Sequence, residues 1–316
     1  MKLEDLKPGD IFLCPPIPLK KGEKNWIGWA IILLTGGKVS HSAVYCGERD
    51  GELQIAHSDL RGIFYMPLKA FMNEEPGCYV RRHKDQTELS PVIKAVDTYA
   101  GKGNPYPVMN FGVLGILLIA NKLLKDTLKN KIFYDFALLV GLKIIKEINK
   151  RRYPGKDAMT CSQFATQSYT DAGDMYDIKF EKLLLQFGEA NSMEDRASLL
   201  DYIEPADENE LQISDEEMNE VFENEDRIVS RFIDLMQGNM NETQPGEPVN
   251  KKMLSNVGKR LLMALCEVLT GKKPSSVAEA MDMFSTNRNY FVTPDDLLTN
   301  TKNLEDKGYF DKTIMS

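Results

Sequence analysis

Short apolar runs bounded by turn residues occupy the chain up to about residue 83, and apolar residues at helical spacing dominate most of the remainder. Pro8-Gly9-Asp10 is turn chemistry, and Ile11-Phe12-Leu13-Cys14 behind it reads as a short buried strand closed by Pro15-Pro16. From Asn25 to Leu34 the chain is apolar nearly all round, which predicts a buried helix ended by Gly36-Gly37. Val39 to Cys46 and Leu53 to His57 are apolar runs separated by a segment containing Asp50-Gly51, the strongest short-range hairpin signal. That hairpin would put His41 at the start of one strand and His57 at the end of the next, so both histidines fall at the same end. Gly62 to Leu68 and Gly77 to His83 read as further strands, completing a meander by about residue 83. Ser90-Pro91 then caps and opens a helix running to Gly101.

Val108 to Ala120 carries no charge, and Ile132 to Ile148 is apolar at helical spacing with Lys and Glu between. A membrane span needs about 20 apolar residues. The first run is too short and the second contains Asp135, Lys143, Lys146 and Glu147, so two packed or surface-lying helices are expected. Thr160-Cys161-Ser162-Gln163 has the spacing of a capping box, opening a helix with Cys161, Phe164, Ala165, Ser168, Tyr169 and Ala172 on one face and Gly173 as its stop. Ser214-Asp215-Glu216-Glu217 begins an amphipathic pattern extending to Met236, and the polar stretch from Gly238 to Asn250 reads as a linker. Helices are predicted over Lys252 to Thr270 and Ser275 to Phe284, a last strand over Asn289 to Val292, and a final helix from Thr293-Pro294-Asp295-Asp296.

Charge narrows the partners. The chain has 316 residues and a net charge of -8, which leaves no basic footprint for a nucleic-acid backbone. Five cysteines, at 14, 46, 78, 161 and 266, are scattered and never form a C-x-x-C pair, so neither a disulfide framework nor a zinc site is suggested, and no cofactor is expected. Met1 to Lys7 lacks the apolar core of a signal peptide, and a reducing cytoplasm is therefore the expected compartment, with peripheral membrane contact through residues 108–148 as an addition left open.

Cys161 is the first candidate for chemistry, because a thiol on the first helical position faces unpaired N–H groups that favour thiolate. Buried cysteines are also common core residues, and Cys14, Cys46, Cys78 and Cys266, which lie in apolar runs, are read that way. A thiol nucleophile needs a base, and the base needs an orienting group. Only three histidines are present. His41 and His57 share a hairpin end, although each also reads as an ordinary strand-end histidine, and His83, with no motif around it, reads as structural.

Thr35-Gly36-Gly37-Lys38-Val39-Ser40-His41-Ser42-Ala43-Val44-Tyr45-Cys46-Gly47 resembles the histidine strand of the papain-like NlpC-type superfamily in its circularly permuted branch. Leu53-Gln54-Ile55-Ala56-His57 is similar to that family's following strand, and Thr160-Cys161-Ser162-Gln163-Phe164 to its nucleophile helix. The histidine precedes the cysteine, as in the permuted order, which related lecithin:retinol-type acyltransferases share. The resemblance covers residues 5–106, 157–173 and 289–300.

The resemblance implies an α+β fold: a papain-like antiparallel sheet core with a nucleophile helix and two helical insertions. Residues 1–106, 157–174 and 287–316 would form the core, 107–156 an apolar helical insertion and 175–286 an acidic helical insertion. It further implies a Cys-His-His triad: Cys161 attacks a carbonyl, His41 is the base and His57 orients it, with the Cys161 N–H and one unassigned donor holding the oxyanion. Three functions fit these residues. The first is a cysteine hydrolase of the amidase or peptidase kind, acting on a small peptide or amide. The second is a thiol acyltransferase or esterase acting on an acyl-lipid, motivated by residues 108–148. The third is a non-catalytic binding module on the same fold.

Overall fold

The computed structural model describes residues 1–17, 37–59, 61–75, 77–84, 88–100, 159–181, 215–236, 272–285 and 292–315, with residue 289 and parts of 132–143 and 256–267. The expected helix at 25–34, the linker at 238–250 and most of the apolar insertion lie outside the described residues.

Six antiparallel strands make one sheet: β1 (Ile11–Cys14), β2 (His41–Arg49), β3 (Glu52–Asp59), β4 (Gly62–Pro67), β5 (Gly77–His83) and β6 (Leu304–Asp311), in the order β4-β3-β2-β1-β5-β6. Helices are α1 (Leu68–Glu74), α2 (Ser90–Tyr99), α3 (Cys161–Asp171), α4 (Asp215–Glu223), α5 (Glu225–Met236), α6 (Val277–Ser285) and α7 (Pro294–Thr299). The β2–β3 turn is the one its Asp-Gly pair predicts, with Asp50 at φ 53° and Gly51 at φ 82°, the left-handed pair that matches strand twist.

Strand periodicity sorts the core into two layers. Ile11 and Leu13 of β1, Val44 and Cys46 of β2, and Ala56 of β3 face a layer completed by Val92 and Val96 of α2, Phe164, Ala165 and Tyr169 of α3, and Leu297 and Leu298 of α7. Phe12, Cys14, Ala43, Tyr45 and Ile55 face the other, with Leu68, Phe71 and Met72 of α1, Val80 of β5 and Phe310 of β6. β1 is therefore buried on both sides, which is why its four residues are continuously apolar. Asp10, fully buried before β1, is paired with Arg82 of β5 through Nε and Nη2 at 2.6 and 2.7 Å.

Several sequence-based expectations are corrected. Asn289 lies in a 3-10 turn and Val292 in irregular chain, so the predicted strand there is absent at both described positions. The last strand is β6, which pairs with β5 from Gly77–Asp311 to His83–Leu304. Leu68 opens α1 rather than ending a strand, and the pattern from 214 to 236 is two helices broken at Asn224. Cys14 and Cys78 are not separate core thiols: they are disulfide-bonded across β1 and β5, with Cα atoms 4.3 Å apart, while Cys46, Cys161 and Cys266 are free and buried. A bridge between residues 64 apart has no local spacing by which it could be read.

Two closures bear on the site. After Gly173 the chain stays on the core through Ile178 and the Phe180–Thr301 bridge, beyond the expected boundary at 174. From the far end, Thr293 and Asp296 form the capping box of α7, and Asp295 Oδ1 accepts the Lys38 N–H at 2.8 Å, tying the run before β2 to α7. A Cβ on Gly37 would lie 2.5 Å from Asp295 Cγ, so this approach requires glycine. The described residues between 132 and 143 pack on α5: Phe136 stacks on Phe232 with ring centroids 3.7 Å apart, and Lys143 pairs with Glu225. Among the described residues no helix is long and apolar enough to cross a membrane.

Candidate active site

Cys161 is the first residue of α3, and Thr160 Oγ1 accepts the Gln163 N–H at 3.0 Å, forming the threonine half of the predicted cap. The thiol is fully buried. Burial pushes it up to about 11, against the opposing effects of the Ser42 N–H and hydroxyl and of the Ser162 and Cys161 amides. The helix N-terminus, expected to lower the thiol, does act in that direction, but desolvation is larger.

His41 and His57 are brought together. Their rings meet through His41 Nε2 and His57 Nδ1 at 3.1 Å, nearly perpendicular at 81°. Both pack on Phe71 of α1, and His57 also on Phe64 of β4 with centroids 4.6 Å apart. Burial holds both rings neutral: His41 is lowered to about 3 by desolvation and then by repulsion from His57, with Asp59 pulling the other way. His57 is lowered to about 4, again by desolvation first, with Asp59 raising and Arg61 lowering it. His57 Nε2 is buried with no hydrogen bond.

The strand residue that reaches the sulfur is Ser42, next along from His41. Pairing between β2 and β3 ends at Ala43–His57, one pair short of Ser42 and Ser58. The N-terminus of α3 lies against this end of the hairpin, where Ser58 Oγ donates to the Met159 carbonyl at 2.7 Å. Ser162 Oγ donates to the Val292 carbonyl at 2.6 Å, bringing the distant C-terminal segment against the same helix end. His83 lies elsewhere, accepting from Asn303 Nδ2 at 2.8 Å and stacked on Tyr169.

Sequence reasoning names Cys161, His41 and His57 but passes over Ser42, Ser58, Phe71, Asp59 and Arg61. Ser42 and Ser58 do carry a signal, for each is a polar residue at a position that strand alternation assigns to the apolar layer. Asp59 and Arg61, hydrogen-bonded to each other with Arg61 Cζ 4.5 Å above the Phe64 ring, come close behind His57 in sequence. Among the described residues no group of three or more His, Cys, Asp and Glu is placed to hold a metal ion.

Comparison with models of known protein families gives no match, and comparison with curated proteins gives none.

Proposed function

We propose that the protein is a cysteine hydrolase of papain-like, circularly permuted NlpC type, cleaving an amide bond with Cys161 as nucleophile, His41 as base and His57 as orienting residue. The observation that carries this reading is the His41–His57 hydrogen bond at the hairpin end against which the start of the Cys161 helix lies. With His41 Nε2 held by His57, Nδ1 is the ring nitrogen left to take a proton.

The resting groups are a neutral thiol and neutral imidazoles. The thiolate would thus form during attack rather than stand as a preformed ion pair. Sulfur bonds to the carbonyl carbon as the thiol proton passes to His41. The imidazolium then protonates the departing amine, and water, deprotonated by His41, releases the acid from the thioester. The Cys161 N–H at the helix start is a donor for the oxyanion. An amide is preferred to a fatty acyl ester because Phe136, Leu139 and Leu142, from the apolar insertion, are already buried.

Turnover of a panel of short peptide amides tests the assignment. Cys161→Ala should abolish it, and His41→Ala should reduce it by about 10²–10⁴-fold. His83→Ala should leave it nearly unchanged, and equal losses at His41 and His83 would sink the assignment of His41 as base.

A further inference from the structure

Ser42 is fully buried, and its hydroxyl has no hydrogen-bond partner of standard geometry, its interaction being with the Cys161 thiol. Such a group is unfavourable unless some state of the molecule uses it. The backbone around it is equally unusual. Tyr45 N–H donates to Asp10 O on the β1 side, so by strand alternation Ser42 turns its N–H toward β3. On that side the ladder has stopped at Ala43–His57, and the Ser42–Ser58 pair that would come next is not closed. Ser42, still paired with Leu13 of β1, therefore has no ladder partner on the β3 side, and its N–H and hydroxyl both reach the Cys161 sulfur. Ser58, its opposite number on β3, is committed to the Met159 carbonyl and cannot serve the sulfur.

We infer that Ser42 is a positioning residue that receives the charged Cys161 sulfur, its N–H and its buried hydroxyl being the two strand donors at the hairpin end. Beside a neutral thiol the hydroxyl makes only a poorly aligned contact, and it closes a full hydrogen bond onto the sulfur once the proton has left. His41 and Ser42 then divide the work: one removes the proton, and its neighbour on the strand holds the charge left behind. This role rests on the reading of Cys161 as a nucleophile, but it is a property of the sulfur and is measurable without a substrate.

The test is the rate at which iodoacetamide alkylates Cys161 in the folded, full-length protein at fixed pH near 8, resolved from Cys46 and Cys266 by peptide mass spectrometry. Alkylation reports thiolate, so Ser42→Ala should slow it by about tenfold, the equivalent of one pH unit. Ser42→Thr, which restores a hydroxyl, should recover most of the rate. Ser58→Ala, at the same strand end but bonded to a carbonyl, should leave it unchanged while lowering the thermal midpoint. An unchanged rate in Ser42→Ala, an equal loss in Ser58→Ala, or a wild-type Cys161 that never alkylates would each overturn the assignment. If Ser42→Ala alkylates normally while Cys161→Ala abolishes turnover, the positioning role fails and the hydrolase reading survives. If Cys161→Ala retains turnover, it is the hydrolase reading that fails.

Discussion

His41 and His57, 16 residues apart, hold each other ring to ring at 3.1 Å, and both are kept uncharged by burial, His41 against Phe71 and His57 against Phe64 and Phe71. Their mutual repulsion, second only to desolvation for His41, gives the pair a direct spectroscopic signature. In His57→Phe the His41 ring should titrate at higher pH than in the wild type, read by NMR of its ring protons. A midpoint that stays or falls would rule out electrostatic coupling between the two rings.

Stability should carry the same signature. Both rings have folded values near 3 and 4 against an ordinary 6.5, so the unfolded chain binds protons first as pH falls. The associated stability is whole above 6.5 and is lost as pH drops from there toward 4. The slope is about 1.4 kcal/mol per pH unit for each ring that is proton-free when folded and protonated when unfolded. Thermal melts from about pH 7.5 to about 4.5 should show a steeper decline in the wild type than in the His41→Phe/His57→Phe variant; parallel curves would exclude the pair as the cause.

The buried Asp10–Arg82 pair fixes β5 to the start of β1. Asp10→Ala leaves the guanidinium, 11% exposed, without its counter-charge. A loss of about 3–5 kcal/mol is expected in urea denaturation with an unchanged slope. A loss below about 1 kcal/mol would place the pair with ordinary surface bridges.

Cys14 and Cys78 are bonded and three cysteines are free, so the unfolded but unreduced chain should titrate three thiols and the reduced chain five. Five before reduction would show that the strands pair without the bridge.

Where local chemistry decides an element, the sequence is a good guide. Asp50-Gly51 marks the central hairpin, Thr160 and Gly173 mark both ends of the Cys161 helix, and Thr293 to Asp296 mark α7. Elements decided by a distant partner are poorly marked. β6 buries only Leu304, at its start, and Phe310, near its end, and carries charges between, as an edge strand does, so nothing in Leu304–Asp311 announces a strand until β5 lies beside it. Val292 has the composition of a strand residue, yet its carbonyl serves Ser162, 130 residues earlier. The thiol escapes sequence reasoning for the same reason: the favourable helix end is visible in the sequence, whereas the desolvation that outweighs it depends on what covers Cys161.

The contacts that complete the candidate centre come from opposite ends of the chain. The β2–β3 hairpin and its two imidazoles need only residues 41–59, but the sulfur arrives at 161 and the Val292 and Asp295 contacts that lock α3 and the approach to β2 arrive far later. In a chain made from its N-terminus, the imidazole pair would be assembled well before Cys161 arrives, and the helix that carries Cys161 would be fastened later still. A chain emerging from the ribosome would thus lack these contacts until residues 292–295 have emerged. Closing such distant loops is slow. The order of assembly by itself would keep α3 unfastened until residues 292–295 have been made.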